Sequence, residues 1–506
     1  MSLAGYALSS SFQPDNEALN HVLYCLSLNY SFAENQPERK LTELSTIVEV
    51  VSMDSGNKPD LHGNDHDSSV TEETAAIRLT RRSKSPMFHS RVTGFDRWLA
   101  RTMIDVVGNP ECTLRLWDGA DVSAPVDDPV AVILYGNRLA MWKTILNPEL
   151  NWGDIYCNGQ LEFDGDLARF LEIIYSNLRG KGKGGLVSRF IRWLGHRRIA
   201  NSHARAKENI HHHYDIGNDF YKLWLDAEEM QYTCAYFSDP DMSLEEAQVA
   251  KLHHVCRKLQ LGPGDTVVEA GCGWGGLARF MARNYGVKVR AYNISKQQVS
   301  YARQRAEAEG LSDRVEYVLD DYRNIRGEYD VFVSVGMLEH VGKRDYPKLG
   351  DVIDRCLKPG GRGLIHTIGR ISPRPMNAWI ERRIFPGAYP PSLKEMMDIF
   401  EPHRLSVNDV ENLRLHYAKT LEHWLERFEH YRDAIEEMMD EEFVRAWRLY
   451  LAGSIAAFNV GELQLYQVVF TRNTNNELPW TREHIYSSPS DSTVKLSVVQ
   501  GDVVDA

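Results

Sequence analysis

The sequence predicts an α/β protein: a parallel, doubly wound sheet with helical insertions, preceded by a small α+β segment. Three observations carry that expectation. From Gly262 onward, five short β-branched runs alternate with helical patterns; the first run ends in a glycine-rich turn; and 43% hydrophobic with 25% charged residues is ordinary usage for a chain with a sizeable core. The runs are Thr266–Ala270, Val287–Tyr292, Val315–Leu319, Val331–Val335 and Gly363–Thr367. Each is long enough for one strand, and the helical patterns between them suit crossovers in a parallel sheet.

The 506 residues exceed one typical domain of about 150. Residues 1–87 form an acidic extension, with ten Asp/Glu against three Lys/Arg over 31–75, and are expected to be mostly disordered. Residues 88–178 read as the small α+β domain, from alternation in Cys112–Trp117 and Val130–Tyr135 and a helical pattern from Leu167 to Leu178. A basic linker spans 179–207, with nine Lys/Arg and no Asp/Glu. Within it, Leu186, Phe190, Trp193 and Leu194 share one helical face, with Arg189, Arg192, Arg197 and Arg198 around it. That suits an interfacial helix on an anionic bilayer and, equally, a helix packed between domains. Residues 208–472 form the main domain and 473–506 a flexible tail.

Composition excludes several classes. No run of about 18 apolar residues and no basic leader occurs, so neither a membrane span nor a secretory signal is expected and the cytoplasm is the default compartment. Seven scattered cysteines without a C-x-x-C pair suit reduced thiols and disfavour a zinc ribbon. Adjacent His211, His212 and His213 point in different directions on a helix, so no metal is expected. The net charge of −12 sits largely in the two tails, and no basic-aromatic interleaving points to nucleic acid.

The strand Thr266–Ala270 runs into Gly271, Gly273 and Gly275, which allow a sharp turn and close approach to a ligand at the carboxyl edge of a sheet. Glu269 ahead of the loop favours E/D-x-G-x-G, the S-adenosylmethionine pattern, over a dinucleotide fingerprint. An acidic ribose ligand is absent from the end of the second strand, where Asn293 stands instead. After the third strand, Asp320, Asp321 and Tyr322 offer a carboxylate and an aromatic face to an adenine.

Five ordered motifs then resemble one family: Gln231–Phe237 (QYTCAYF), Val268–Gly276, Ser334–Gly342 (SVGMLEHVG), Leu364–Gly369 (LIHTIG) and His416–Leu421 (HYAKTL). They resemble the cyclopropane-fatty-acid and mycolic-acid cyclopropane synthases over about residues 205–472, and more loosely over Trp152–Asp166. The resemblance implies a Class I methyltransferase fold with a helical lid, and methyl transfer from S-adenosylmethionine to a cis double bond of an acyl chain. It implies that bound bicarbonate then removes a proton so that the ring closes. By the same resemblance Cys234, Glu339, His366, the backbone at Ile368 and Tyr417 form the bicarbonate cup. Tyr232, Thr233, Glu269, Gly271, Gly273, Asn293, Gln298, Asp321 and Tyr322 line the cofactor pocket.

The chemistry suits such residues. An alkene is a poor nucleophile that needs in-line positioning in a dry pocket, and a developing cation is stabilised by aromatic faces such as Tyr232, Tyr236, Tyr417 and Trp424. The expected partner is an unsaturated phospholipid at the inner membrane surface, met by peripheral association; a homodimer stays open. Quenching to a methylene- or methyl-branched chain, a small-molecule N- or O-methyltransferase, and a non-catalytic lipid-binding protein are the rival readings. The last two have no need of the cup.

Overall fold

The structure, a computed structural model, describes residues 91–123, 128–180 and 217–486. The acidic stretch 31–75, the amphipathic run Leu186–Arg198, His211 to His213 and the tail beyond 486 lie outside the described residues.

Helix α1 (Gly94–Val106) opens on a capping box, in which Asp96 N–H donates to Thr93 Oγ1 and Thr93 N–H donates back to the Asp96 carboxylate. Strands β1 (Cys112–Arg115), β2 (Ala131–Tyr135) and β3 (Leu161–Gly165) form a small sheet in that order, β1 parallel and β3 antiparallel to β2. Helices α2 (Arg138–Leu146), α3 (Pro148–Cys157) and α4 (Leu167–Gly180) complete an α+β segment as the alternation predicted. Helix α5 (Asn218–Trp224) and helix α6 (Leu244–Lys258) lead into the main sheet.

That sheet has seven strands: β4 (Thr266–Ala270), β5 (Lys288–Asn293), β6 (Val315–Leu319), β7 (Tyr329–Val335), β8 (Leu357–Gly369), β9 (Leu405–Asn412) and β10 (Gln464–Arg472). Their order is β6-β5-β4-β7-β8-β10-β9. The five strands expected from β-branched runs are the five that pair in parallel. The sheet extends beyond that expectation by β9 and β10, and β10 runs antiparallel to both neighbours. Adjacent residues on β4 feed opposite cores. Val267 packs with Leu277, Val289 and Ala302, whereas Val268 packs with Phe332, Val352 and Phe470. The crossovers α7 (Gly276–Tyr285), α8 (Lys296–Ala308), α9 (Leu338–Val341) and α10 (Tyr346–Cys356) thus cover both faces.

The insertions near the carboxyl ends of the strands are helical: α11 (Ala378–Arg383), α12 (Leu393–Phe400), α13 (Arg414–His430), α14 (Arg432–Met438) and α15 (Glu441–Asn459). One hydrophobic cluster joins α11, α13, α14 and α15 to the first segment, running from Leu99, Ile133 and Phe163 to Trp424, Trp447 and Phe458, whereas α12 packs Met396, Ile399 and Phe400 into the core with Phe332 and Phe470. Arg445 of α15 pins the contact. Its Nε donates to Tyr156 O at 2.6 Å, Nη2 to Leu161 O at 2.7 Å, and Nη1 reaches Glu162 at 3.0 Å. Arg383 grips Asp154 through two bonds of 3.0 and 2.8 Å, and Gly153 leaves the space that the Trp379 ring occupies. Among the described residues no helix is long and apolar enough to cross a membrane.

Candidate active site

The glycine loop lies where the strand order reverses, between β5 and β7 on either side of β4. Gly271 (φ +84°), Gly273 (φ +52°) and Gly275 (φ +79°) are left-handed. A Cβ at Gly271 would meet Met337 at 2.9 Å and one at Gly275 the Tyr317 ring at 2.6 Å, whereas one at Gly273 would project into open space. Gly273 therefore faces a cradle, and its neighbours hold the turn shut. Gly271 and Cys272 N–H both donate to Tyr292 O, and Asn293 Nδ2 donates to Gly273 O at 3.0 Å and Gln298 Oε1 at 2.8 Å. Asn293 Oδ1 accepts Ser295 N–H, so this side chain braces the loop from below. Glu269, 2% exposed, has an unpartnered Oε2, and burial pushes its carboxyl up to about 8.

A cleft beside the loop is lined by Gly271, Asn293, Asp321 and Tyr322 of the expected set, together with Met337 and His340. The Asp321 carboxylate is held by Arg323, Nε to Oδ1 at 2.8 Å and Nη2 to Oδ2 at 2.9 Å. Gly273, Gln298, Tyr232, Thr233 and Glu269 are not part of this cleft wall. Met337 and His340 lie inside a motif already singled out, but neither their type nor their spacing assigned them a role.

The segment carrying Tyr232, Thr233 and Cys234 is tied to α6 by polar bonds, and its start at Glu229 and Gln231 packs against Gly276 at the end of the loop. Asp226 accepts Glu229 N–H at 2.9 Å and Gln231 N–H at 2.6 Å, and Lys251 Nζ, fully buried, donates to Gln231 Oε1 at 2.5 Å and Thr233 Oγ1 at 2.9 Å. Burial lowers the Lys251 ammonium to about 8. Tyr232 enters an aromatic cluster, 5.3 Å from Trp424, which is 6.0 Å from Tyr417. Tyr236 does not join them. It stacks between His254 at 4.1 Å and His416 at 4.9 Å, which separates it from the other three aromatics expected beside a cation.

Four of the five expected cup residues are joined through a chain of contacts, and His366 lies two residues before Ile368 on the same strand. Ile368 N–H donates to Glu339 Oε1 at 2.5 Å; Leu465, the register partner of Ile368, accepts Leu413 N–H through its carbonyl; and Leu413 O accepts Tyr417 N–H at 3.2 Å, with Cys234 Sγ 3.9 Å away. Cys234 is wholly buried, and burial raises its thiol far above the ordinary range, so it is a neutral wall. Glu339 is 6% exposed and His366 1% exposed. Burial raises Glu339 to about 7 against the hydrogen bonds that favour its charge, and burial drives His366 well below its usual value. Glu339 Oε2 and His366 Nε2 have no hydrogen-bond partner. Two buried polar atoms left without partners cost about 1–3 kcal/mol each, an expense that a bound polar molecule would relieve.

A glycine cradle on a seven-stranded sheet, capped by an aromatic helical lid, defines a nucleotide-cofactor enzyme of the Class I methyltransferase type. The chain belongs to the mycolic acid cyclopropane synthetase family, whose model matches residues 201–468. It is 38% identical over 384 residues to a probable fatty acid methyltransferase of Pseudomonas putida, covering 74% of this chain and 95% of the relative. It is 44% identical over 267 residues to the cyclopropane-fatty-acyl-phospholipid synthase of Escherichia coli K12, covering 53% of this chain and 68% of the relative. Among solved structures it is similar to the mycolic acid cyclopropane synthase CmaA1 complexed with SAH and CTAB. That likeness has a TM-score of 0.51 and 29% identity, over 54% of this chain and 99% of that one. The chain is accordingly an S-adenosylmethionine-dependent methyltransferase of the cyclopropane synthase type.

Proposed function

We propose that the chain transfers a one-carbon unit from S-adenosylmethionine to the cis double bond of an unsaturated phospholipid acyl chain, closing a cyclopropane with bicarbonate as the base. Transfer of a methyl or methylene group to a lipid acyl chain is common ground among its relatives. The observation that carries the finer reading is two buried polar atoms without partners, Glu339 Oε2 and His366 Nε2, on residues tied to the same end of β8, where the Ile368 amide, two residues past His366, donates to Glu339.

When bound, the methyl donor supplies an electrophilic carbon and bicarbonate supplies a base. This chain's residues do the rest. The Gly273 cradle admits a ligand against the backbone, and Tyr232, Tyr417 and Trp424 exclude water from the lid side. Glu339 Oε2, as carboxylate, accepts the hydroxyl proton of a bound acid carbonate, His366 Nε2–H donates to an oxygen, and Cys234 closes the wall without competing as a nucleophile.

The Pseudomonas putida relative, which shares most of the chain's length, is named for methyl transfer, and this favours a branched product as the second reading. Incubation with methyl-labelled S-adenosylmethionine and unsaturated phospholipid vesicles, followed by mass spectrometry before and after hydrogenation, separates the two. A gain of one CH2 with no remaining double bond is expected. A gain of CH2 with a retained double bond means a methylene branch, and no gain sinks both.

A further inference from the structure

A row of side chains crosses the sheet behind the cup. His366 on β8, Gln467 on β10 and Glu411 on β9 are register partners, so the three stand side by side on one face of neighbouring strands. Lys258, from the last turn of α6, bridges the row: its Nζ donates to Gln467 Oε1 at 2.8 Å and to Glu411 Oε2 at 2.5 Å. His254, one turn earlier, meets the same Glu411 oxygen through Nε2 at 2.7 Å.

These contacts fix an orientation that a glutamine amide does not carry by itself. An ammonium only donates, so the Gln467 atom facing Lys258 is the carbonyl oxygen and the atom facing His366 is the NH2 group. That NH2 lies 3.1 Å from His366 Nδ1, which must therefore accept. We propose that Lys258 and Gln467 are positioning residues that hold His366 as the Nε2–H tautomer, a hydrogen-bond donor aimed into the cup. The Nε2 atom is buried without a protein partner, and Gln467 itself is fully buried, so no solvent competes for either end. Burial keeps the imidazole neutral, with the positive charges of Lys251 and Lys258 acting in the same direction. The anchor is firm: burial alone would raise the Glu411 carboxyl, but His254 and Lys258 bring it down to about 2. What the donor serves rests on the proposed function; the tautomer does not.

The test uses the full chain with nitrogen-15-labelled histidine and no substrate. The His366 ring signals, identified by their loss in His366→Gln, are expected to show a neutral imidazole protonated at Nε2. In Gln467→Glu the carboxylate accepts from Nδ1–H, so the proton moves to Nδ1 and Nε2 becomes an acceptor. Lys258→Met frees the amide to turn and gives a mixture of tautomers, while Lys258→Arg keeps a donor and restores the original spectrum. With the donor lost, kcat falls by about 100-fold while S-adenosylhomocysteine affinity is unchanged. A wild-type His366 protonated at Nδ1, a Gln467→Glu spectrum that keeps Nε2–H, or a changed tautomer with unchanged kcat would overturn the proposal. If the spectra behave as expected but the wild-type protein modifies no unsaturated phospholipid, the positioning role stands and the functional reading falls.

Discussion

Glu339 meets two opposed demands. Oε1 is committed to the Ile368 amide, which favours a charged carboxylate, while burial favours the neutral acid and lifts the group to about 7. Only the carboxylate accepts a proton, so kcat/KM is expected to rise with pH through about 7. Glu339→Gln should remove that limb from the residual rate, cut turnover by about 100-fold, and leave cofactor affinity by calorimetry intact. Stability has the opposite sign. The folded value lies above the 4.5 of a free glutamate, so the contribution is whole below pH 4.5 and is lost as pH rises through about 7. Chemical denaturation across that window should show a shallower decline in Glu339→Gln. Gly273→Val tests the cradle: a β-branched residue at φ +52° costs about 1–2 kcal/mol and fills the open side, so cofactor binding should vanish. Gly264→Val, at another left-handed glycine with open space around it, is the control that should lose stability but keep binding. At this scale Glu339 and His366 were legible because they fall within ordered motifs. Lys258 and Gln467 were not, since their meeting requires α6 and β10, more than 200 residues apart, to be folded together.

Among the elements, β4 to β8 were readable because a strand covered on both faces needs β-branched apolar runs, and those runs stand out between helices. Strand β9 escaped because only Leu405 of its LSVNDVEN sequence is buried, while Asp409 and Glu411 put carboxylates on its half-buried face and Val410 stands on the exposed one. Strand β10 is buried at eight of nine positions yet includes Gln464, Gln467 and Thr471, polar residues that dilute the signal. Their burial is explained by partners: Gln464 accepts from Asn412, Gln467 joins the Lys258 row, and Asn408 Nδ2 donates to Thr471 Oγ1. The α+β segment was legible in outline, but its attachment to the lid through Arg445 was not. Replacing Arg445 with Met removes the side-chain donor from the Leu161 carbonyl, at about 1–3 kcal/mol, and one of the donors from the Tyr156 carbonyl, which keeps the Gly159 amide. We expect a lower Tm and faster amide exchange in α3 and β3, with exchange in β4 and β7 changed least; uniform exchange would argue against a local hinge of this kind.

For the whole molecule, the proposed substrate carries its double bond within a bilayer, and we propose that the protein meets it at the membrane surface. The basic run at Leu186–Arg198 is our proposed contact. Each arginine near an anionic surface adds about 1 kcal/mol, screened over roughly 8 Å at physiological salt. Replacing Arg189, Arg192, Arg197 and Arg198 with Gln should weaken sedimentation with anionic vesicles and raise the apparent KM for them, with activity on detergent-dispersed lipid maintained. Equal binding to neutral and anionic vesicles would instead assign the run to packing between domains.

The position of β10 has a consequence for how the protein is made. It is inserted between β8 and β9, both of which precede it by many residues, so β9 has no strand beside it until 464–472 has been synthesised. A ribosome-bound chain can assemble the five parallel strands and the glycine loop early, but the row that positions His366 closes only with the last strand. Until then the nascent chain holds the cofactor cradle without a finished cup, with two strand edges exposed and in need of protection from aggregation.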